Sequence, residues 1–195
     1  MAIHTLQRRM RRILPWIAIV VVLAGTAFLL RTQGRLWWCS CEYLLIWSGD
    51  PWSSDNSQHL LDSYSFTHLL HGFLLCGLLA LIAPRLSAVW KLWLAVSIEA
   101  VWEVIENSEF VIQRYREQTA ALGYHGDTIV NSLGDILVCG LGFMMARRLG
   151  FRRTFALFVL TEVALALWIR DNLTLNVVML IYPIEAIKEW QAAGH

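Results

Sequence analysis

Three glutamates, Glu99, Glu103 and Glu106, interrupt an apolar stretch reading SIEAVWEVIENSEF. Their spacing of i, i+4 and i+7 puts them on one face of a helix. A carboxylate near the centre of a bilayer costs roughly 2.5–3.5 kcal/mol on insertion scales, and such a group marks a functional site by default. Two neighbouring stretches carry matching chemistry. SFTHLLHG places His68 and His71 one turn apart, and YHGDTIVNSLGDILVCGLG repeats Asp127, Asn131 and Asp135 every fourth residue.

Imidazole together with carboxylates is an N/O donor set that suits zinc, manganese or iron. The candidate metal ligands are His68, His71, Glu99, Glu103, Asp127 and Asp135. The same groups serve acid–base chemistry, and the candidate catalytic residues are His68, His71, Glu103, Glu106, Asp127 and Asn131. H-x-x-H is a looser pattern than H-E-x-x-H, and no metalloprotease base accompanies it. A hydrogen-bonded network that only locks three helices together is the competing reading. Arg114, Arg116 and His125 are candidate substrate-binding residues at the rim, where the arginines could grip a lipid phosphate or simply anchor in the headgroups.

The elements that must position these groups are membrane segments. Only 16% of the 195 residues are charged and 57% are hydrophobic, whereas a soluble domain carries about 25% charge. The expected class is all-α, a single polytopic membrane bundle of about six segments: 13–30, 66–83, 89–108, 128–146, 154–169 and 173–187. The first four have the length of a transmembrane helix, about 17–25 residues. The last two are short and joined by the tight turn Arg170-Asp171-Asn172, so a re-entrant pair is an alternative for them.

Lys and Arg placement orients the bundle. Eleven of the sixteen fall at one set of segment ends, Arg8, Arg9, Arg11 and Arg12 foremost, and five at the other. This predicts both termini in the cytoplasm of a bacterial inner-membrane protein, with the first segment retained as a signal anchor. Tryptophans cluster near segment ends, as aromatic belts do. Segment three then runs outward. Glu103 and Glu106 lie about 6 and 10 Å nearer the outer face than Glu99, and Asp135 lies about 12 Å below Asp127. The polar residues of segments two, three and four all fall in the outer half, which predicts one outward-opening pocket with Glu99 and Asp135 near its floor.

Residues 31–65 form a long outer loop. WWCSCEYLLIW within it reads as an interfacial helix, and a loop of this length is a candidate lid. Cys39 and Cys41 are too close in sequence for an easy disulfide, and Cys76 and Cys139 read as buried packing residues. Glu162, alone in segment five, needs a partner, with Asn176 or the pocket as candidates. Glu185 is near enough to an end to reach water. A net charge of +1 gives no basic patch for nucleic acid.

In order, Asp62, His68 and His71, the glutamate helix, and Gly126-Asp127-x-x-x-Asn131-x-x-Gly134 resemble the pattern of the VanZ-like group of small membrane proteins over about 62–142. The chain as a whole resembles an uncharacterised family of about 200-residue inner-membrane proteins found mainly in alphaproteobacteria. Extra acids (Glu103, Glu106, Asp135) and a longer loop before segment four depart from the VanZ-like pattern. The resemblance implies a cell-envelope role without supplying a reaction. Two functions are therefore expected. The first is an envelope enzyme or binder whose pocket holds a lipid or lipid-linked substrate. The second is a non-catalytic accessory subunit or scaffold among other membrane-protein subunits. Ion transport is disfavoured, because only Glu162 and Glu185 lie along an inner half-pathway.

Overall fold

The computed structural model describes residues 2–41, 43–118 and 123–193. These form eight helices and one pair of two-residue parallel strands: α1 (Ala2–Thr32), β1 (Trp47–Ser48), β2 (Leu61–Asp62), α2 (Ser65–Ile82), α3 (Ala88–Glu106), α4 (Glu109–Gln118), α5 (Ile129–Leu149), α6 (Phe151–Trp168), α7 (Leu173–Ile181) and α8 (Glu185–Ala192). The chain is thus predominantly helical. Three stretches, Ile13–Thr32, Ser65–Ile82 and Ile129–Leu149, are long and apolar enough to cross a membrane. Helices α3 and α6 match them in length, at 19 and 18 residues. They carry the charges Lys91, Glu99, Glu103 and Glu106, and Arg152, Arg153 and Glu162.

Side chains set the helix starts. The Ser87 hydroxyl accepts from the Trp90 amide, the Thr128 hydroxyl from Asn131, and the Asn172 side chain from Leu175, each satisfying a donor that the first turn leaves open. Gly150, at φ +74°, makes the turn from α5 into α6.

Helix α5 is central and packs against α1, α2, α3 and α6. Its closest partner is α2. A Cβ on Gly72 would overlap the Cys139 carbonyl, and one on Gly142 would overlap the Leu69 carbonyl. Glycines at both positions let the two backbones approach closely, as in membrane helix pairs. At the other end from the loop, Leu79, Leu92, Val96, Ile136 and Phe143 form an apolar core. At the loop end, Ala27, Leu30 and Ile129 close the α1–α3–α5 contact.

Residues 33–64 fold over that loop end. The WWCSCEYLLIW stretch is not an interfacial helix: its described residues are irregular and lead into β1. Its backbone is committed elsewhere. The carbonyls of Leu36 and Trp37 accept from the amides of Ile129 and Val130 at 2.8 and 3.1 Å, and the Ser57 carbonyl from Thr128 at 3.0 Å. Three open amides at the start of α5 are satisfied this way. Cys39 and Cys41 are joined by a disulfide, contrary to the sequence reading. Their Cα atoms are 5.1 Å apart, inside the span a disulfide bridges. Trp47 stacks on Trp168 and meets Phe66 edge-on, tying the loop to the ends of α6 and α2.

The sixth expected segment, 173–187, is not one helix. It breaks at Tyr182-Pro183, because proline restricts the residue before it and has no amide to donate. Helix α7, with 9 residues, is about 14 Å long, under half of a hydrocarbon core of about 30 Å. Helix α8 stays at the loop end: Lys188 Nζ donates to the Glu117 carbonyl at 2.7 Å, and Arg170 donates to the Trp190 carbonyl at 2.9 Å. Lys188 and Trp190 therefore sit with Arg170 and the end of α4, not with the basic connections at the opposite end.

Candidate functional site

Facing residues of α2, α3 and α5 meet just below the loop. His68 and His71 project from α2 toward α3. His68 Nδ1 lies 2.6 Å from Glu99 Oε1, and His71 Nδ1 lies 2.9 Å from the same oxygen. An ionised carboxylate only accepts hydrogen bonds, so both Nδ1 atoms carry a proton, and Nε2 presents a lone pair in the neutral form of each ring. His68 also lies 3.3 Å from Glu103 Oε1, and its Nε2 is 3.9 Å from Asp135 Oδ2. The histidines thus sit at the depth of Glu99, with His68 also beside Glu103 and Asp135.

Glu103 is wholly buried, and neither of its carboxylate oxygens has a hydrogen-bond partner; Glu106 Oε2 is also without one. Asp135 accepts from Ser65 Oγ at 2.6 Å through Oδ1. Asp127 accepts from Asn107 Nδ2 at 2.8 Å and from the Tyr124 hydroxyl at 2.9 Å, and its amide donates to Asn107 Oδ1 at 2.7 Å. Asn131 reaches Asp62 at 3.4 Å. Asp62 in turn takes the amides of Ser57, Tyr64 and Ser65, closing the loop onto the start of α2.

The acids above the helices are held away from their ordinary values. Burial pushes Asp62 and Asp127 up, against the hydrogen bonds they accept. Burial raises Asp171 to about 7, opposed by the Asn172 amide and the Tyr64 hydroxyl. The Tyr124 hydroxyl is raised well above its usual value by burial and then by the Asp127 charge.

These groups surround a cavity of about 1270 Å³. Its polar wall includes His68, His71, Glu99, Glu106, Asp127 and Asp135, with the wholly buried Glu103 behind them. The loop supplies Arg35, Trp52, Ser57 and Asp62 as a roof. The other wall is apolar: Leu74 of α2, Ile98 of α3 and Val177 of α7 line the cavity and keep 53%, 44% and 47% of their surface exposed. The cavity therefore runs from a charged cluster to partly exposed apolar side chains.

Other expectations change. Arg114 donates to the carbonyls of Leu180 and Ile181 at 3.0 and 3.2 Å. It closes the C-terminus of α7, the position a cation favours there, rather than reaching the pocket. Arg116 donates to the Tyr124 carbonyl at 2.5 Å and meets His125 Nδ1. His125 is an exposed residue lining the cavity mouth, and its carbonyl accepts from Arg35 at 2.5 Å. Glu162 finds its partner in neither Asn176 nor the pocket. It accepts from the amides of Leu173 and Thr174 at 2.9 and 3.0 Å, and from the Thr174 hydroxyl, as a carboxylate at a helix start does. Glu185 is exposed, but it starts α8 at the loop end, not at the inner end where the sequence reading put it. The sequence reading missed Tyr64, Tyr115, Tyr124 and Asp171, all of which line the cavity. Their only signal was tyrosine or aspartate at segment ends, which headgroup anchoring also explains.

A family described as "Protein of unknown function (DUF2585)" matches residues 30–193. Among curated proteins, a UPF0314 protein of Paracoccus denitrificans is 44% identical over 184 residues, covering 94% of this chain and 95% of its own. One from Brucella anthropi is 44% identical over 174 residues, covering 89% and 88%, and one from Rhizobium etli is 43% identical over 192 residues, covering 98% of each. No solved structure matches. The matched region holds the whole polar cluster and the loop above it, and on that evidence the chain belongs to the DUF2585 family, an uncharacterised family of alphaproteobacterial proteins.

Proposed function

We propose that the chain is a multi-pass protein of the bacterial inner membrane whose pocket opens toward the periplasm and holds the polar head of an envelope lipid or lipid-linked substrate. One observation carries this reading: the cavity joins a buried cluster of histidines and carboxylates to the exposed apolar side chains Leu74, Ile98 and Val177, which we read as a portal to lipid. A headgroup would lie against the charged wall while its chains pass out between α2, α3 and α7. A network that served only to lock the helices would close on itself and need no such opening, which disfavours the scaffold reading. His68, His71, Glu106 and Asp127 are placed for acid–base work on a group in the cavity. The position of Asp62, His68, Asp127 and Asn131 around one pocket is compatible with a VanZ-like arrangement.

The test is lipid capture. Purified in mild detergent from its own membranes, the chain should retain one anionic lipid or lipid-linked species enriched over the bulk lipid, by mass spectrometry. Val177→Trp, which fills the portal, should lower that enrichment at least about tenfold while the melting temperature holds. Bulk membrane composition in the wild type, or an unchanged profile in Val177→Trp, would defeat the proposal.

Orientation follows from the helices. The N-terminal end of α1 and the α2–α3 and α5–α6 connections hold ten of the sixteen Lys and Arg once Lys188 is placed at the loop end. Positive charge favours the cytoplasm, and the Cys39–Cys41 disulfide at the opposite end suits an oxidising periplasm. Five crossings, α1, α2, α3, α5 and α6, then leave the C-terminus outside, in place of the cytoplasmic terminus that six crossings implied. A C-terminal alkaline phosphatase fusion should be active and a C-terminal green fluorescent protein fusion dark; the reverse pattern would restore a sixth crossing.

A further inference from the structure

From the Glu103 carboxylate, which no hydrogen bond satisfies, we infer that the pocket floor binds a pair of divalent cations, bridged by Glu103, with His68 and Asp135 on one and Glu106 and Asp127 on the other. This rests on the pocket reading above only for what the cations would face. The first observation is placement. His68, Glu103 and Asp135 bring ligand atoms within 4.8 Å of one another, and Glu103, Glu106 and Asp127 do the same. The two groups share one residue, Glu103, so a carboxylate with two oxygens lies between two three-ligand sets.

The second observation is independent of that clustering. Glu103 is 0% exposed, and both its oxygens lack any hydrogen-bond partner, as does Glu106 Oε2. Buried polar atoms are almost always satisfied, and a carboxylate inside a bundle is costly unless cations or protons meet it; His68 Nδ1, 3.3 Å from Oε1 and already bonded to Glu99, is the one ion-pair contact of Glu103 among the described residues. Elsewhere in this chain buried carboxylates are served: Glu162 takes three donors and Asp62 takes the first amides of α2. Among the described residues, the buried carboxylate oxygens without a hydrogen-bond partner belong to Glu103 and Glu106, where the two ligand sets overlap.

Charge and the surrounding hydrogen bonds agree. Glu103, Glu106, Asp127 and Asp135 supply four negative charges, which two divalent cations neutralise. Glu99 is left out of the count because it serves both histidines, holding each Nδ1 so that Nε2 of His68 is free as a ligand on the side of Asp135. A carboxylate that orients a ligating imidazole is the usual second layer of such sites. Ser65 on Asp135, and Asn107 with Tyr124 on Asp127, fix those carboxylates in the same way. With one nitrogen among five donors, the set favours manganese or iron(II) over zinc. A pair at the short spacing typical of two-metal sites stabilises phosphate-ester oxygens, and every terminal ligand except the bridging Glu103 lines the cavity.

Manganese(II) is the probe. The full chain in detergent, stripped with chelator, dialysed and titrated with Mn²⁺, should take up two ions per chain by elemental analysis, and its electron paramagnetic resonance should show a spin-coupled pair. Glu103→Gln should take up none. Asp135→Asn and Asp127→Asn should each lower uptake to one and lose the coupling. His71→Ala, whose imidazole meets Glu99 alone among the acids here, should still take up two. Circular dichroism and melting curves identify a variant that has not folded. Asp127 lies outside α3, so Asp127→Asn reads the site even if Glu103→Gln misfolds. Zero or one ion per chain in the wild type, or two uncoupled ions, would overturn the pair. Lipid capture without metal would sink this inference alone, and two metal ions without lipid capture would sink the lipid reading alone.

Discussion

Leucine in place of Gly142 is expected to force α2 off α5, destabilise the bundle by about 3 kcal/mol or more, and empty the site. A Cβ at 142 meets the backbone oxygen, carbon and Cα of Leu69, and one at 72 meets the backbone of Cys139, Gly142 and Phe143. No rotamer change relieves a clash with backbone, so only separation of the helices can. Apolar lipid gives little driving force for helix association, and close packing at small residues carries much of it. Leu69 also lies between His68 and Leu70 on α2, so any shift moves His68 away from Asp135. Gly72→Val should act alike. Two controls bracket the claim. A Cβ at Gly140 makes ordinary contact with Val96 Cγ2 at 3.5 Å, and Gly77 has open space. Gly140→Ala should be nearly neutral, and Gly77→Ala neutral or stabilising by up to about 1 kcal/mol from helix propensity. Thermal unfolding in detergent by circular dichroism reads all four. A Gly142→Leu chain that melts within a few degrees of the wild type would show that the α2–α5 crossing is not fixed by these glycines.

What could be read in advance was whatever a single helix encodes. Residues spaced by three and four must share a face, so Glu99, Glu103 and Glu106 on α3, and Asp127 with Asn131 and Asp135 at α5, were legible, and the expense of charge at that depth required them to meet. What escaped depended on partners distant in the chain. Arg114 looks like a phosphate grip until α7 ends 66 residues later with two open carbonyls beside it. Glu162 looks orphaned until the chain turns at Asn172 and starts a helix on its carboxylate. The run from Leu173 to Ile187 is apolar enough to suggest a crossing, and hydropathy does not register that Pro183 divides it. The WWCSCEYLLIW stretch has the composition of an interfacial helix, but its Trp37 carbonyl is taken by the Val130 amide of α5 and its Leu45 carbonyl by the Leu60 amide.

Glu99→Gln should leave two cations per chain but weaken their binding about ten- to a hundredfold, the usual loss when the partner of a ligating imidazole is altered. Glu99 Oε1 accepts from both His68 and His71, at 2.6 and 2.9 Å, and Oε2 lies 3.1 Å from His71 Nδ1. In the amide, the group replacing one of these oxygens is a donor, so it repels an N–H where the carboxylate accepted one. Removing the charge also weakens both remaining hydrogen bonds, since bonds to an ionised acceptor are roughly twice as strong. Glu99→Ala should go further. The buried His68 Nδ1 would have only Glu103, at 3.3 Å, to turn to, drawing the bridging carboxylate away from the cations it is assigned. A Mn²⁺ titration separates the alternatives. His68, His71 and Glu99 also form a compact three-ligand group of their own, and if Glu99 were itself a ligand, Glu99→Gln would lower the stoichiometry and not merely the affinity. Unchanged affinity would mean that the orientation of the two histidines does not matter to the site. A fall in affinity at constant stoichiometry is the result an orienting Glu99 produces, because its carboxylate is occupied by two imidazole N–H groups, while the oxygens of Glu103, which no hydrogen bond satisfies, are the ones assigned to the ions.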